Sequence, residues 1–185
     1  MLDCLSIIQR YYTPGNEDYR VLVTHSRQVA DLATSIAKRL IDQGTPVDIE
    51  FVEEAAMLHD IGMCRTDAPG IHCYGSEPYI LHGVIGREML DAMGLFRHGR
   101  VCERHTGAGI TAQEIVAQHL PITPVRDLLP ETLEERIICY ADKFFSKSRP
   151  GEPPKALERV RQSLAQFGPD TVARFDAMND IFGNL

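Results

Sequence analysis

Between Val29 and Leu40 the chain sets apolar side chains at Val29, Leu32, Ala33, Ile36, Ala37 and Leu40, a spacing that an α-helix gathers onto one face. The segment runs from about Tyr19 to Gln43, where Gly44 supplies a stop. A stripe of that length has to be buried against other elements, and the rest of the chain offers mostly more helices. "LDCLSIIQRYY" (2–12) reads as a short helix ended by "TPGNED". Asp48 is placed to cap a third helix and Gly62 to close it. Further helices are expected at about 78–92, 96–106, 111–119, 132–148, 153–167 and 169–182. "TAQE" (111–114) and "TLEE" (132–135) both match a capping box. No convincing strand run competes. The expected fold is all-α, an irregular helical bundle, and 185 residues are most simply one domain over 1–185.

A formal net charge of −7 argues against a nucleic-acid polymer as partner, while leaving room for a local basic pocket. Charges interrupt every apolar run well before the length of a membrane span, and no signal peptide stands out. Five cysteines (Cys4, Cys64, Cys73, Cys102 and Cys139) at irregular spacing fit neither a disulfide framework nor a close zinc-binding pair. A cytoplasmic protein without a membrane partner is the expectation.

Six polar residues interrupt these apolar helical contexts. His59 and Asp60 stand side by side in "AAMLHDIG" (55–62), where an inner helix face should be apolar. His25 lies in "VLVTHSRQVADLA", His82 in "PYILHGVIG", His105 in "CERHTGAG" and Asp142 in "IICYADKFF". Any single histidine of this kind is usually a satisfied core or boundary residue. Asp142, amid Ile137, Ile138, Ala141, Phe144 and Phe145, needs a partner if it is buried. Gly83 and Gly107 read as helix stops that let backbone approach a site closely. Together the six supply four imidazoles and two carboxylates, enough for two metal ions sharing one carboxylate. That donor mixture is compatible with Fe, Mn, Co, Ni or Zn.

The order His25, His59–Asp60, Asp142, with steps of 34 and 82 positions, resembles the defining pattern of the HD-domain superfamily of metal-dependent phosphohydrolases, and "HDIG" (59–62) is similar to its frequent local form. His82 in "HG" and His105 in "HT" resemble the added histidines of the two-metal branch. "HSRQVADLA", "MLHD" and "YADKF" look like the small stand-alone HDIG proteins and the bacterial HD-type hydrolases that cut diadenosine tetraphosphate symmetrically. The likeness covers roughly 19–150 and leaves 151–185 as a C-terminal helical extension without a recognised motif. It implies a first metal on His25, His59, Asp60 and Asp142. A second would lie on His82, His105 and the bridging Asp60, with a hydroxide between the ions attacking a phosphoryl group. The implied ligand is a phosphorylated small molecule, in the first instance a nucleotide.

Around these positions Lys143 and Arg104 are placed to reach phosphate oxygens, and Lys147 and Arg149 to meet distal phosphates. Arg65 and His72 sit on the Gly- and Pro-rich stretch 63–78, read as a long loop and a candidate lid, with His72 as proton donor to the leaving group. Ser26 is expected on the helix surface or behind the ligands, Asp31 exposed, and His98 and His119 at the surface or its boundary. Leu157, Val160, Leu164, Val172 and Phe175 offer an apolar face for the core or for a homodimer partner. Two other functions use the same residues: a di-iron oxygenase, and a nucleotide-binding regulatory module without turnover.

Overall fold

A computed structural model describes residues 2–183 and shows an irregular, mostly helical all-α bundle. Its helices are α1 (Cys4–Ile8), α2 (Glu17–Asp42), α3 (Ile49–Leu58), α4 (His82–Asp91), α5 (Phe96–Arg104), α6 (Ala112–Ala117), α7 (Leu133–Asp142), α8 (Leu157–Ala165) and α9 (Pro169–Phe182). On α2, Val29, Ala33, Ile36, Ala37 and Leu40 are buried, so the periodic stripe is the face that packs on α3 and α7. Each large apolar side chain so buried contributes roughly 1.5–3 kcal/mol. Capping follows the local chemistry. The Asp48 carboxylate accepts the Phe51 amide, and Thr111 and Glu114 form a reciprocal box. Thr132 caps α7, but the Glu135 carboxylate binds Arg104 and the Glu131 amide instead of closing that box.

Three expectations need correction. The stretch 63–78 is not an open loop. A 3-10 turn (Ile61–Arg65) leads into a small sheet of β1 (Thr66–Ala68), β2 (Cys73–Tyr74) and β3 (Glu77–Pro78), in the order β2-β1-β3. β1 pairs antiparallel with β2 and parallel with β3. Strands of two or three residues carry too little alternation to be read from sequence. Gly62 does not stop α3, which ends at Leu58; it lies inside the 3-10 turn, pressed against α4. Gly83 is no stop either. It is the second residue of α4, where an added Cβ would lie 2.4 Å from the Cys102 carbonyl oxygen of α5.

The apolar core falls into two main clusters. One gathers α3, α7, α8, α9 and the C-terminal half of α2, with Val160, Leu164 and Phe175 of the extension inside it. The other gathers α1, the start of α2, the turn after α3, and α4. His25 lies between Val23 of the second cluster and Val29 of the first, and His59 follows Ala56 and Leu58 in the same way. The polar residues thus collect where the two apolar bodies meet. Elsewhere in the interior, the buried Glu103 carboxylate is held between Arg87 and Arg126. No helix of the described residues is long and apolar enough to cross a membrane.

Candidate metal centre

Five of the six polar residues stand at helix ends. His59 and Asp60 directly follow α3, His82 opens α4, His105 directly follows α5, and Asp142 is the last residue of α7; only His25 lies within a helix. At a helix end the backbone leaves its regular path, so the neighbours His59 and Asp60 can aim at one point. All six are at most 5% exposed.

The side chains form two sets that share Asp60. In the first, His25 Nε2 lies 2.9 Å from Asp142 Oδ1 and 3.3 Å from Asp60 Oδ2, while His59 Nε2 lies 3.1 Å from Asp60 Oδ2 and 3.5 Å from Asp142 Oδ1. In the second, Asp60 Oδ1 lies 3.3 Å from His82 Nε2 and 3.2 Å from His105 Nε2. Nitrogen and oxygen ligands sit about 2.0–2.2 Å from a divalent ion, which puts two ligands of one ion about 3–3.6 Å apart. The observed separations have that spacing.

Protonation supports the same fit. Nδ1 of His59, His82 and His105 faces the carbonyl oxygen three residues earlier, at Ala56, Tyr79 and Cys102, over 2.6, 2.7 and 2.7 Å. A carbonyl only accepts, so Nδ1 carries a proton and Nε2 is the ring atom turned inward, where a bound cation would take the place of any proton on it. When both rings are neutral, His82 Nε2 and His105 Nε2 face each other across 3.1 Å with lone pairs on both sides, an arrangement that a cation relieves. His59 Nε2 and Asp60 Oδ1 are buried without a hydrogen-bond partner among the described residues.

The electrostatics agree. Burial opposes charge on Asp60 and Asp142, yet His59 and Lys147 around Asp60, and Lys143 and Lys147 around Asp142, hold both carboxyls well below their usual range. Burial also works against a proton on His59, but the two carboxylates lift it to about 9. The two carboxylates therefore stay ionised and hold positive groups against them, Lys143, Lys147 and the His59 ring. Burial pushes His105 down to about 3, which keeps it neutral as a ligand must be. Both sets are capable of holding a divalent ion.

The remaining candidates divide. Lys143 Nζ lies 2.6 Å from Asp142 Oδ2 and donates to the His105 carbonyl oxygen over 2.9 Å. Lys147 Nζ lies 2.9 Å from Asp60 Oδ2. Both face a cavity of about 490 Å³ beside Asp142, as does Lys155, which the sequence did not single out. Arg104 points elsewhere, bound to Glu131 and Glu135. Arg149 is exposed and pairs with Glu152. Arg65 and His72 are exposed and do not line the cavity. Ser26, expected at the surface or behind the ligands, is fully buried. Asp31 and His119 are exposed, and His98 is buried against Phe51 with Nε2 3.4 Å from Glu54. Tyr79 also went unnoticed: its ring stacks on His82 at 4.6 Å and 14°, and its carbonyl orients that histidine. The signal available was its place three residues before a histidine of the cluster, the same offset as Ala56 and Cys102.

Fully loaded protein is expected to hold about two ions per chain, roughly 3.5–4 Å apart. Replacing His82 and His105 together with alanine should leave about one, read by elemental analysis. A count of one in the parent that the double replacement leaves unchanged would refute the second position.

Comparison with known proteins places these residues in a wider set. An uncharacterized protein of Methanocaldococcus jannaschii is 33% identical over 165 residues, covering 89% of each chain. A tRNA (cytidine(56)-2'-O)-methyltransferase of Thermoplasma volcanium is 32% identical over 172 residues, or 92% of this chain and 44% of that protein. The Picrophilus torridus methyltransferase of the same name is 36% identical over 146 residues, or 75% of this chain and 38% of that protein. The chain thus spans less than half the length of either methyltransferase. The HD domain model matches residues 22–146, a stretch that contains all six clustered side chains, and the chain belongs to the HD domain family.

Proposed function

We propose that this protein is a metal-dependent phosphohydrolase that cleaves a phosphoester or phosphoanhydride bond of a nucleotide. The observation that carries the reading is the placement of two donor sets, joined by Asp60, beside a cavity lined by three lysines. His25, His59, Asp60 and Asp142 would hold one ion, and Asp60, His82 and His105 the other. Bound ions supply charge neutralisation at phosphate oxygens and acidify water near neutral pH. The chain's own groups do the rest. The carbonyls of Ala56, Tyr79 and Cys102 fix three imidazoles in the tautomer that binds. Lys143 and Lys147 offer ammonium groups to the phosphate oxygens, and Lys155 reaches further along the cavity. No serine or cysteine nucleophile is required. The segment shared with the methyltransferases is under half of each, and methyl transfer is not carried over to this chain.

The test is a metal-supplemented hydrolysis screen over nucleoside mono-, di- and triphosphates, cyclic nucleotides, diadenosine tetraphosphate and simple phosphomonoesters. Phosphate release that chelation abolishes and metal restores supports the reading; no release from any compound by fully loaded protein refutes it. On the preferred substrate, Lys143→Ala should keep its metal content and lose about tenfold or more in kcat/KM, the scale of one charge-assisted contact. A fall in kcat places Lys143 on the transferring phosphoryl group; a rise in KM alone places it on a more remote phosphate. Unchanged constants would remove Lys143 from the site.

A further inference from the structure

Two cavities of opposite character meet beside the metal centre. The larger carries Lys143, Lys147 and Lys155. The smaller, about 310 Å³, reaches the ligand His82 and has no lysine or arginine among its described lining residues. Its walls include Ile80, Ile110, Leu120 and the side of Gln118. Its single carboxylate, Glu114, is occupied by Arg174 at 2.8 Å and by the Thr111 cap. Tyr79, Gly107 and Phe167 line both cavities, so the two lie side by side with these residues at their boundary. Phe167 lies in the turn between α8 and α9, beyond the residues that match the HD domain.

The contrast decides which part of a substrate goes where. A phosphate deep in the smaller cavity, away from His82, would lose water and meet no lysine or arginine side chain in the lining, which makes it costly there. In the larger cavity it meets three ammonium groups. A flat uncharged ring has the reverse preference: it gains from apolar walls and from the neighbouring aromatic side chains. The Gln118 amide adds one donor group and one acceptor for a heteroaromatic edge. A volume of about 310 Å³ is at the small end of ligand sites, room for one ring system with its sugar.

We propose that the smaller cavity binds the heteroaromatic base of the substrate while the lysine cavity binds its phosphates, with Tyr79 and Phe167 at the boundary selecting the organic group. The C-terminal extension thereby takes part in specificity through Phe167. This rests on the phosphohydrolase reading, so the test measures binding rather than turnover.

Metal-loaded full-length protein is titrated calorimetrically with adenosine and, separately, with inorganic tripolyphosphate. Gln118→Trp fills the smaller cavity from an exposed position, and Lys155→Gln removes a charge from the larger one. Adenosine binding should weaken about tenfold or more in Gln118→Trp and hold in Lys155→Gln; tripolyphosphate should show the reverse, the scale expected for one lost charge contact. Ile80→Phe, which narrows the same cavity from another wall, replaces Gln118→Trp if circular dichroism shows that variant misfolded. The proposal is overturned if adenosine does not bind the parent, if filling the smaller cavity leaves adenosine binding unchanged, or if Lys155→Gln leaves tripolyphosphate binding unchanged. The crossed pattern without hydrolysis of any phosphate compound would refute the hydrolase reading and keep the partition. Hydrolysis without the crossed pattern would do the opposite.

Discussion

Asp60→Asn is expected to abolish hydrolysis and to uncouple the two metal positions at once. Asp60 is fully buried, and its two oxygens face different histidine pairs: Oδ2 lies 3.3 and 3.1 Å from His25 and His59 Nε2, and Oδ1 lies 3.3 and 3.2 Å from His82 and His105 Nε2. An asparagine keeps the shape but loses the charge. It also turns one oxygen into an amide that donates, so whichever pair it faces loses its shared ligand. Removing a single stabilising donor from an active site typically costs about 10²–10³-fold. Loss of a carboxylate serving both positions should cost more than about 10³-fold in kcat/KM. Turnover and metal content are to be measured on the same sample, with circular dichroism confirming the helices. An Asp60→Asn protein that retained both ions and hydrolysed within about tenfold of the parent would refute the bridging role.

The parts of the centre were visible in the sequence because each breaks a local rule: a histidine or carboxylate in an apolar helical run. The helices themselves followed from periodicity, as on α2, where five of the six stripe positions are buried and Leu32 is half-buried. Convergence was not visible from spacing alone. His25 and Asp142 are 117 residues apart and meet at 2.9 Å because two apolar clusters dock at that seam. The substrate side was harder still. Lys143 and Lys147 reach the centre, whereas Arg104, one residue before the clustered His105, turns to Glu131 and Glu135. Sequence adjacency to a ligand does not say which way a side chain points, because consecutive helical residues point in different directions. The sheet at 66–78 escaped for another reason. Its strands are too short for periodicity, and β3 ends at Pro78, a residue depleted in strands.

Gly62 shows how a residue read as punctuation can instead hold the centre together. Gly62→Ala is expected to destabilise the protein by about 3 kcal/mol, the upper end of ordinary overpacking costs. A Cβ there would lie 2.1 Å from the His82 carbonyl oxygen and 2.5 Å from the Gly86 amide nitrogen. Both are backbone atoms of the first turns of α4, so no side chain can rotate away to make room. The turn holding Gly62 follows directly on Asp60, and α4 begins with His82, so relief requires moving one ligand-bearing segment from the other. The same methyl group should therefore weaken the second metal position, where Asp60 Oδ1 and His82 Nε2 must stay 3.3 Å apart. Gly70→Ala is the control: nothing lies within 4 Å of a Cβ at that position, and the change in stability should be within about 0.5 kcal/mol. Urea unfolding of the metal-free proteins reads the stability difference, and elemental analysis after loading reads occupancy. If Gly62→Ala unfolded at the same urea concentration as Gly70→Ala, the close contact between the turn and α4 would not constrain the fold. If stability fell while two ions still bound, that contact would support the bundle without setting the distance between the ligands.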